Sequence, residues 1–353
     1  MRIGLDATPL LGSLTGIGTY TAQLIAALSD GPDELVATAF TWRSRRDLQS
    51  LLPPSVTATG RRAPARGLQQ LWARAQWPPV ELLAGPMDVF HATNYVLPPL
   101  RRAAGVVTVH DLAYLRMTHV VDAASARYRQ LVPRSLRRAA AVITDSQAVA
   151  DQIQEAYAPT VPVVPVPLGV DPAWGEARPA DAALRSRLGL PSSYVLFVGT
   201  LEPRKDLATL LAAHAQMQDP PPLVLVGGRG WGEQLDLSRC ITPGYLERHE
   251  LRQVVAGASV LALPSRDEGF GLPLLEAMAA GVPVVASDLP VLKEVGGDVA
   301  RYAPVGDAEA FAAALQETLT DPGDPAALRR QAAPFTWQRT ASLTRAVYGS
   351  VAS

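Results

Sequence analysis

The chain has one cysteine, Cys240, in 353 residues. An internal disulfide framework and a cysteine-built metal site are both excluded, which fits a reducing compartment. The lone thiol is expected to behave as a small buried hydrophobe. No run approaches the roughly 18–20 uninterrupted apolar residues of a membrane-spanning helix. The amino terminus, MRIGLDATPL, carries Asp6 where a signal peptide would have its apolar core, so it reads as a first strand of a cytoplasmic protein. Excess charge is missing too: 32 Lys and Arg stand against 33 Asp and Glu. With no global field to select nucleic acid, any anion site must come from local placement. No aspartate has another two residues away, so a D-x-D metal clamp is absent, as are fixed-period repeats and low-complexity tracts.

What the chain does have is alternation. Short Val- and Ile-rich runs recur between longer helical patterns, the sequence appearance of buried parallel strands joined by crossover helices, and an α/β fold follows. The first half offers RIGLDA (2–7), LVATAF (35–40), DVFHA (88–92), GVVTVH (105–110) and AAVITDS (140–146). Asp6, His91, His110, Asp111, Asp145 and Ser146 fall at their downstream ends, the edge where open α/β sheets bind ligands. A stretch with six prolines (158–181) reads as a linker with room for one edge strand. Alternation then restarts with YVLFVG (194–199), a helix over 207–216, PLVLVGG (222–228), ASVLALPS (258–265) and VPVVASD (282–288). The length exceeds what one core usually fills, so two doubly wound domains are expected, 1–170 and 171–334. The segment 335–353 has helical periodicity, and the pattern leaves its docking site open.

The stretch SRDEGFGLPLLEAMAAGVPVVASD (265–288) places Glu268 in a strand-to-helix loop and Glu276 one turn inside a helix. Pro273 suits the first turn of that helix and Gly281 its left-handed stop. Gly269 and Gly271 permit close backbone approach to a ligand, and the helix start offers unpaired N–H groups at a positive dipole end. Apart from Glu276 the helix is nearly uncharged, so this carboxylate needs buried hydrogen-bond donors, either ligand hydroxyls or an arginine elsewhere in the chain. One strand earlier, VGTLEPRKDLATLL sets Arg204 and Lys205 at the same sheet edge, with Asp206 positioned to cap the next helix. Adjacent cations there suit a diphosphate, Arg by bidentate contact and Lys as a point charge. A solvated charge run is the alternative.

These segments, together with TGIGTYTAQLIAAL, FHATNYVLP, VVTVHDLAYLR, VITDSQAVADQI and FTWQRTA, resemble the retaining glycosyltransferases of family 4 over nearly the whole chain. Glu268 and Glu276, as a glutamate-x7-glutamate element, are the most specific part. The resemblance implies the GT-B architecture, two Rossmann-like domains facing across a cleft, with 335–353 crossing back to the first. It implies that Glu276 accepts hydrogen bonds from a nucleotide ribose. Glu268 and the backbone of Gly269, Phe270, Gly271 and Leu272 would hold donor-sugar hydroxyls and phosphate. Arg204 and Lys205 would neutralise the leaving diphosphate, Gly16 and Gly18 would bring an amino-terminal loop against it, and His110 would meet the donor sugar. The family pattern has an arginine five residues before the lysine; Thr200 stands there, so Arg204 is expected to substitute in part.

The implied reaction is hexose transfer with retained configuration, cations and helix termini stabilising charge on the leaving phosphate without a tightly bound metal or cofactor. GDP-mannose is the first donor expectation, from similarity to bacterial mannosyltransferases of surface polysaccharide assembly, and a UDP-sugar the second. The acceptor would be a glycan or a lipid-linked saccharide. Two other classes fit two Rossmann-like domains. A nicotinamide dehydrogenase needs a full G-x-G-x-x-G, which neither GSLTGIG nor GFGLPL supplies, and a two-lobed sugar-binding protein is normally exported. Arginines cluster at 43, 45 and 46, at 61, 62 and 66, and at 134, 137 and 138. Solvated faces are the default for such runs, but with Trp72 and Trp77 the segment from Arg61 to Trp77 reads as a peripheral contact with the inner face of an anionic membrane.

Overall fold

Thirteen short strands build two parallel sheets in the computed structural model, which describes residues 1–11, 16–41, 45–60, 65–72, 74–117, 127–232 and 235–352. The chain divides into two units, Met1–Gly169 with Thr336–Ser353, and Val170–Phe335. In the first, β1 (Arg2–Asp6), β2 (Glu34–Thr38), β3 (Thr57–Thr59), β4 (Val89–Ala92), β5 (Ala104–Thr108), β6 (Ala141–Thr144) and β7 (Val163–Pro165) lie in the order β3-β2-β1-β4-β5-β6-β7. In the second, β8 (Val195–Val198), β9 (Leu223–Val226), β10 (Ile241–Gly244), β11 (Val260–Leu263), β12 (Val284–Ser287) and β13 (Arg301–Ala303) take the order β10-β9-β8-β11-β12-β13. Every pairing is parallel. Strand order reverses beside β1 and again beside β8, and such a reversal opens a crevice at the carboxyl ends of the strands.

Burial follows strand position. The inner strands β4, β6, β9, β11 and β12 are buried at every residue, as expected where helices cover both faces. The second core packs Phe197, Leu225 and Val260 against Leu210 of the Leu207–Gln216 helix and Phe311 and Leu315 of the Ala308–Thr320 helix. Asp307 begins the latter helix by accepting the N–H of Ala310. Cys240 is half-buried at the margin of this core, and burial pushes its thiol pKa up.

The proline-rich stretch is less of a free linker than its composition suggests. It supplies β7 as an edge strand of the first sheet and then buries Trp174 in the second unit. The closing helix, Trp337–Val351, starts at Thr336, whose hydroxyl accepts the N–H of Arg339. It packs on the Gly16–Ser29 helix. Thr340 donates to the Pro167 carbonyl at 2.8 Å, and Arg345 donates to the Leu28 carbonyl at 2.7 Å. At its far end the Tyr348 hydroxyl lies 2.7 Å from His91 Nδ1, and His91 Nε2 lies 2.7 Å from the Thr108 hydroxyl. Burial pushes the His91 pKa down to about 3, with His110 adding to the shift, so the ring is neutral and structural. No helix among the described residues is long and apolar enough to cross a membrane.

Candidate active site

In the second unit β8 and β11 are direct neighbours at the reversal of strand order, and the loops after them carry the two sequence elements singled out above. After β8 the chain makes one short turn, Pro203–Lys205, which buries Lys205 to 8 % exposure. After β11 the loop buries Glu268. Lys205 Nζ donates to Glu268 Oε1 at 2.6 Å, and the Ser265 hydroxyl donates to the same oxygen at 2.7 Å. Arg204 reaches the other carboxylate oxygen at 3.7 Å and holds Glu202 at 2.9 Å. Burial would raise the Glu268 pKa, but Lys205, Arg204 and the Ser265 hydroxyl outweigh it and hold the carboxyl below its ordinary range. The site therefore sets two cations, Lys205 and Arg204, against two carboxylates, Glu268 and Glu202, in one cluster of ion pairs.

Asp206 departs from expectation. It stands at the N-cap position with left-handed backbone (φ 49°, ψ 48°) and makes no side-chain bond to the helix amides. Its carboxylate instead accepts the Thr209 hydroxyl at 2.8 Å and Arg266 Nε at 2.9 Å. That anchors the cation turn to the loop after β11 through a second ion pair.

The Leu272–Ala280 helix begins as the sequence indicated. Gly271 takes φ 93°, where a Cβ would lie 2.6 Å from Leu292 Cδ2, and Pro273 sits in the first turn. Gly281 ends the helix at φ 80°. Gly269 and Phe270 are buried, Phe270 packing edge-on to Phe335 at 5.9 Å, and Leu272 is half-buried. Glu276 is half-buried, with Arg248 Nη2 at 3.9 Å. Burial dominates this carboxyl and pushes its pKa up to about 7 against Arg248 and Arg252, with Asp171 adding to the rise. The two glutamates thus differ: Glu268 is paired and ionised, whereas Glu276 titrates near neutrality.

The first unit holds the remaining candidates. Gly16 and Gly18 are not in a loop; they occupy the first turn of the Gly16–Ser29 helix, Gly16 exposed and Gly18 buried. His110 is buried, its Nδ1 2.7 Å from Asp145 Oδ2 and its Nε2 donating to the Thr93 carbonyl at 2.9 Å. Burial alone would strip the ring of its second proton. The charge and hydrogen bond of Asp145, with the Thr93 carbonyl, overcome this and raise the His110 pKa. Asp111, the sequence neighbour, instead accepts the N–H of Ala113. Tyr20 and Tyr95 meet the imidazole edge-on at 5.0 Å and 5.7 Å.

Sequence reasoning missed Ser265, Glu202 and Arg248. Ser265 lay inside the quoted stretch and Glu202 inside GTLEPRK, while nothing local marked Arg248. In the arginine clusters, Arg43, Arg61 and Arg62 lie outside the described residues. Arg138 is not a solvated charge, since it donates to the Trp72 and Leu97 carbonyls and to Gln76. Trp72 faces inward at 2 % exposure, while Trp77 is 62 % exposed.

Family models bear on both units. Residues 184–334 match the model described as Glycosyl transferases group 1, and residues 15–169 match the Glycosyl transferase 4-like domain. The chain is 28 % identical to the O-antigen chain mannosyltransferase B of Escherichia coli, covering 99 % of both chains. It is 31 % identical to glycogen synthase of Mycobacterium tuberculosis (strain H37Rv), over 74 % of this chain and 68 % of that one. Among solved structures, Anabaena HepE in complex with UDP-glucose superposes with a TM-score of 0.72 at 19 % identity, covering 99 % of this chain and 100 % of that one. A dehydrogenase or a pure sugar-binding protein finds no support in these matches. The chain belongs to the group 1 glycosyl transferases, and its two Rossmann-like units are those of the GT-B fold.

Proposed function

We propose that the chain transfers a hexose, with retention of configuration and no tightly bound metal, from a nucleoside diphosphate sugar to a glycan or lipid-linked saccharide. The observation that carries this reading is the buried Lys205–Glu268 cluster at the β8/β11 reversal, where phosphate and sugar hydroxyls find opposite charges side by side. Lys205 and Arg204 neutralise the departing diphosphate. Glu268 accepts hydroxyls of the donor sugar, and the backbone of Gly269, Phe270, Gly271 and Leu272 approaches its phosphate. Glu276 accepts the ribose hydroxyls. In the first unit, Gly16 and Gly18 are assigned to the donor diphosphate and His110 to the donor sugar.

In the transfer step the bond from the anomeric carbon to the phosphate oxygen breaks, and the acceptor oxygen bonds to that carbon on the same face. The acceptor proton passes to the departing phosphate. Preorganised cations stabilise the charge that builds there. Mannose from GDP-mannose is the first choice, supported by the name of the Escherichia coli relative; a UDP-sugar is second, supported by the HepE complex. The first unit, Met1–Gly169 with Thr336–Ser353, is assigned to the acceptor and the second, Val170–Phe335, to the donor. A peripheral membrane contact through the Arg61–Trp77 segment rests on exposed Leu71 and Trp77, and sedimentation with anionic vesicles tests it.

The deciding experiment is a thermal-shift panel of GDP, UDP, ADP and their sugars, followed by assay of nucleotide release with and without EDTA. A ligand at 100 times its Kd adds about 2.7 kcal/mol of stability. GDP and GDP-mannose are expected to give the largest shift, with release unaffected by EDTA. No shift with any nucleotide, and no release, would sink the reading.

A further inference from the structure

Arg266 touches the chain on both sides of Lys205. Its backbone N–H donates to the Arg204 carbonyl at 2.8 Å, and its guanidinium Nε lies 2.9 Å from the Asp206 carboxylate. It also stands two residues before Glu268, the partner of Lys205. One residue thus ties the turn that carries the ammonium to the loop that carries the carboxylate. The turn has two bonds of its own, from the Lys205 N–H to the Glu202 carbonyl at 3.0 Å and from the Asp206 N–H to the Pro203 carbonyl at 3.1 Å. Both are internal, so they shape the turn without placing it.

Asp206 shows what this tie requires. It is buried and holds left-handed backbone at φ 49°, a conformation that glycine adopts freely and other residues adopt at a cost. An aspartate there brings a carboxylate, which leaves the helix amides uncapped and turns to Arg266 and the Thr209 hydroxyl. A fold that needed the turn alone would be served by glycine, so what aspartate adds is the ion pair. The Arg266 side chain is half exposed. Its removal opens no core cavity, and a pair open to solvent adds little stability. What it supplies is placement.

Placement matters for Lys205 because of its chemistry. Of the 32 Lys and Arg in the chain two are lysines, Lys205 and Lys293. Arginine spreads its charge over a rigid planar fork, whereas lysine carries a compact charge on a flexible four-carbon stem. Such a point charge is aimed by the backbone beneath it and by the groups around its tip. Glu268 holds the tip at 2.6 Å, and Arg266 holds the backbone on either side of the base.

We infer that Arg266 is a positioning residue: through its ion pair with Asp206 it fixes the turn at the place from which the Lys205 ammonium meets its anionic partners. That one of those partners is a departing diphosphate rests on the proposed function; the placement of the ammonium does not.

Because the chain has two lysines, selective carbon-13 labelling of lysine in the full chain leaves two side-chain NMR signals to follow. Arg266→Ala should move and sharpen the Lys205 ε-methylene signal. The signal of Lys293, paired with Asp288 at 2.7 Å outside this cluster, should stay in place. Asp206→Asn suits left-handed backbone and keeps an oxygen for Thr209, and it should act as Arg266→Ala does. The double variant should add nothing, since both changes break one contact. Arg266→Lys should hold the signal near its wild-type position. In assays of sugar transfer, Arg266→Ala should lower kcat about 10- to 100-fold, the scale of a small misplacement near the reacting centre, with the donor KM within about 2-fold of wild type. In a Lys205→Ala background the same substitution should cost nothing further. A Lys205 signal indifferent to both Arg266→Ala and Asp206→Asn overturns the inference, as does a kcat loss of equal size with and without Lys205. If the signal moves in a chain that transfers sugar from no nucleotide donor, the placement stands and the transferase reading falls.

Discussion

Lys205 Nζ and Glu268 Oε1, 63 residues apart in sequence, meet at 2.6 Å and join the loops after β8 and β11 into one buried unit. Removing one partner of a buried ion pair leaves the other charge uncompensated, at a cost of about 3–5 kcal/mol. Lys205→Ala should therefore lower stability, with Arg204 at 3.7 Å limiting the loss, and should reduce kcat/KM about 10²- to 10³-fold if the ammonium stabilises the leaving phosphate. The double variant Lys205→Ala with Glu268→Gln separates the two effects. Denaturation midpoints should recover while activity stays low. Recovery of both together would reduce the pair to a structural brace.

Glu276 gives a prediction with a defined sign. Its carboxyl releases a proton near the ordinary 4.5 when unfolded, whereas burial pushes that up to about 7 in the folded chain. Between those values the folded state holds the extra proton, so stability falls as pH rises through that window. Glu276→Gln removes this dependence and should stabilise the protein at pH 8 by about 1–3 kcal/mol. If the ionised carboxylate accepts the ribose hydroxyls, the same substitution should raise the donor KM about 10- to 100-fold. In the wild type that KM should rise as pH falls below about 7. A donor KM that ignores both the pH and the substitution would remove Glu276 from the nucleotide site.

The His110–Asp145 pair titrates in the opposite sense. Asp145 and Thr93 hold His110 protonated above its ordinary 6.5. Its stabilisation is thus fully present below pH 6.5 and lost as pH rises through the higher folded value. Asp145→Asn should destabilise the first unit most below pH 6.5, and the gap to wild type should narrow at alkaline pH. Urea midpoints measured at several pH values check this, and a gap that widens with pH would contradict it. His110→Gln should reduce turnover if the ring meets the donor sugar; turnover close to wild type would leave it a purely structural group.

The sheet edges explain much of what the sequence concealed. Inner strands such as β4 and β11 are buried on both faces and announce themselves as Val- and Ile-rich runs. The four outermost strands, β3, β7, β10 and β13, pair on one side and are partly exposed, so TAT, VVP, ITPG and RYA carry no such signal. Three of them were invisible, and β7 appeared only as an option within the proline-rich stretch. At the site, helix punctuation by Pro273 and Gly281 was local and therefore legible. The contacts between Lys205 and Glu268, His110 and Asp145, and Arg248 and Glu276 join residues far apart in the chain, and no periodicity encodes them.

Tyr348 tests the role of the closing helix. Its hydroxyl and the Thr108 hydroxyl are the two partners of the fully buried His91 ring, and Thr108 in turn lies 2.9 Å from the Tyr20 hydroxyl. The chain of bonds ties the carboxy-terminal helix through β4 and β5 to the Gly16–Ser29 helix. Tyr348→Phe leaves His91 Nδ1 buried without a partner, which should cost about 1–3 kcal/mol. Because burial keeps His91 neutral down to about pH 3, the loss should be nearly constant between pH 5 and pH 8, in contrast to that of Asp145→Asn. Hydrogen exchange should show faster opening of the closing helix and of β4, while nucleotide-induced thermal shifts should stay as in wild type if the donor binds the second unit as proposed. Unaltered protection in the Phe variant would mean that apolar packing alone holds the helix in place.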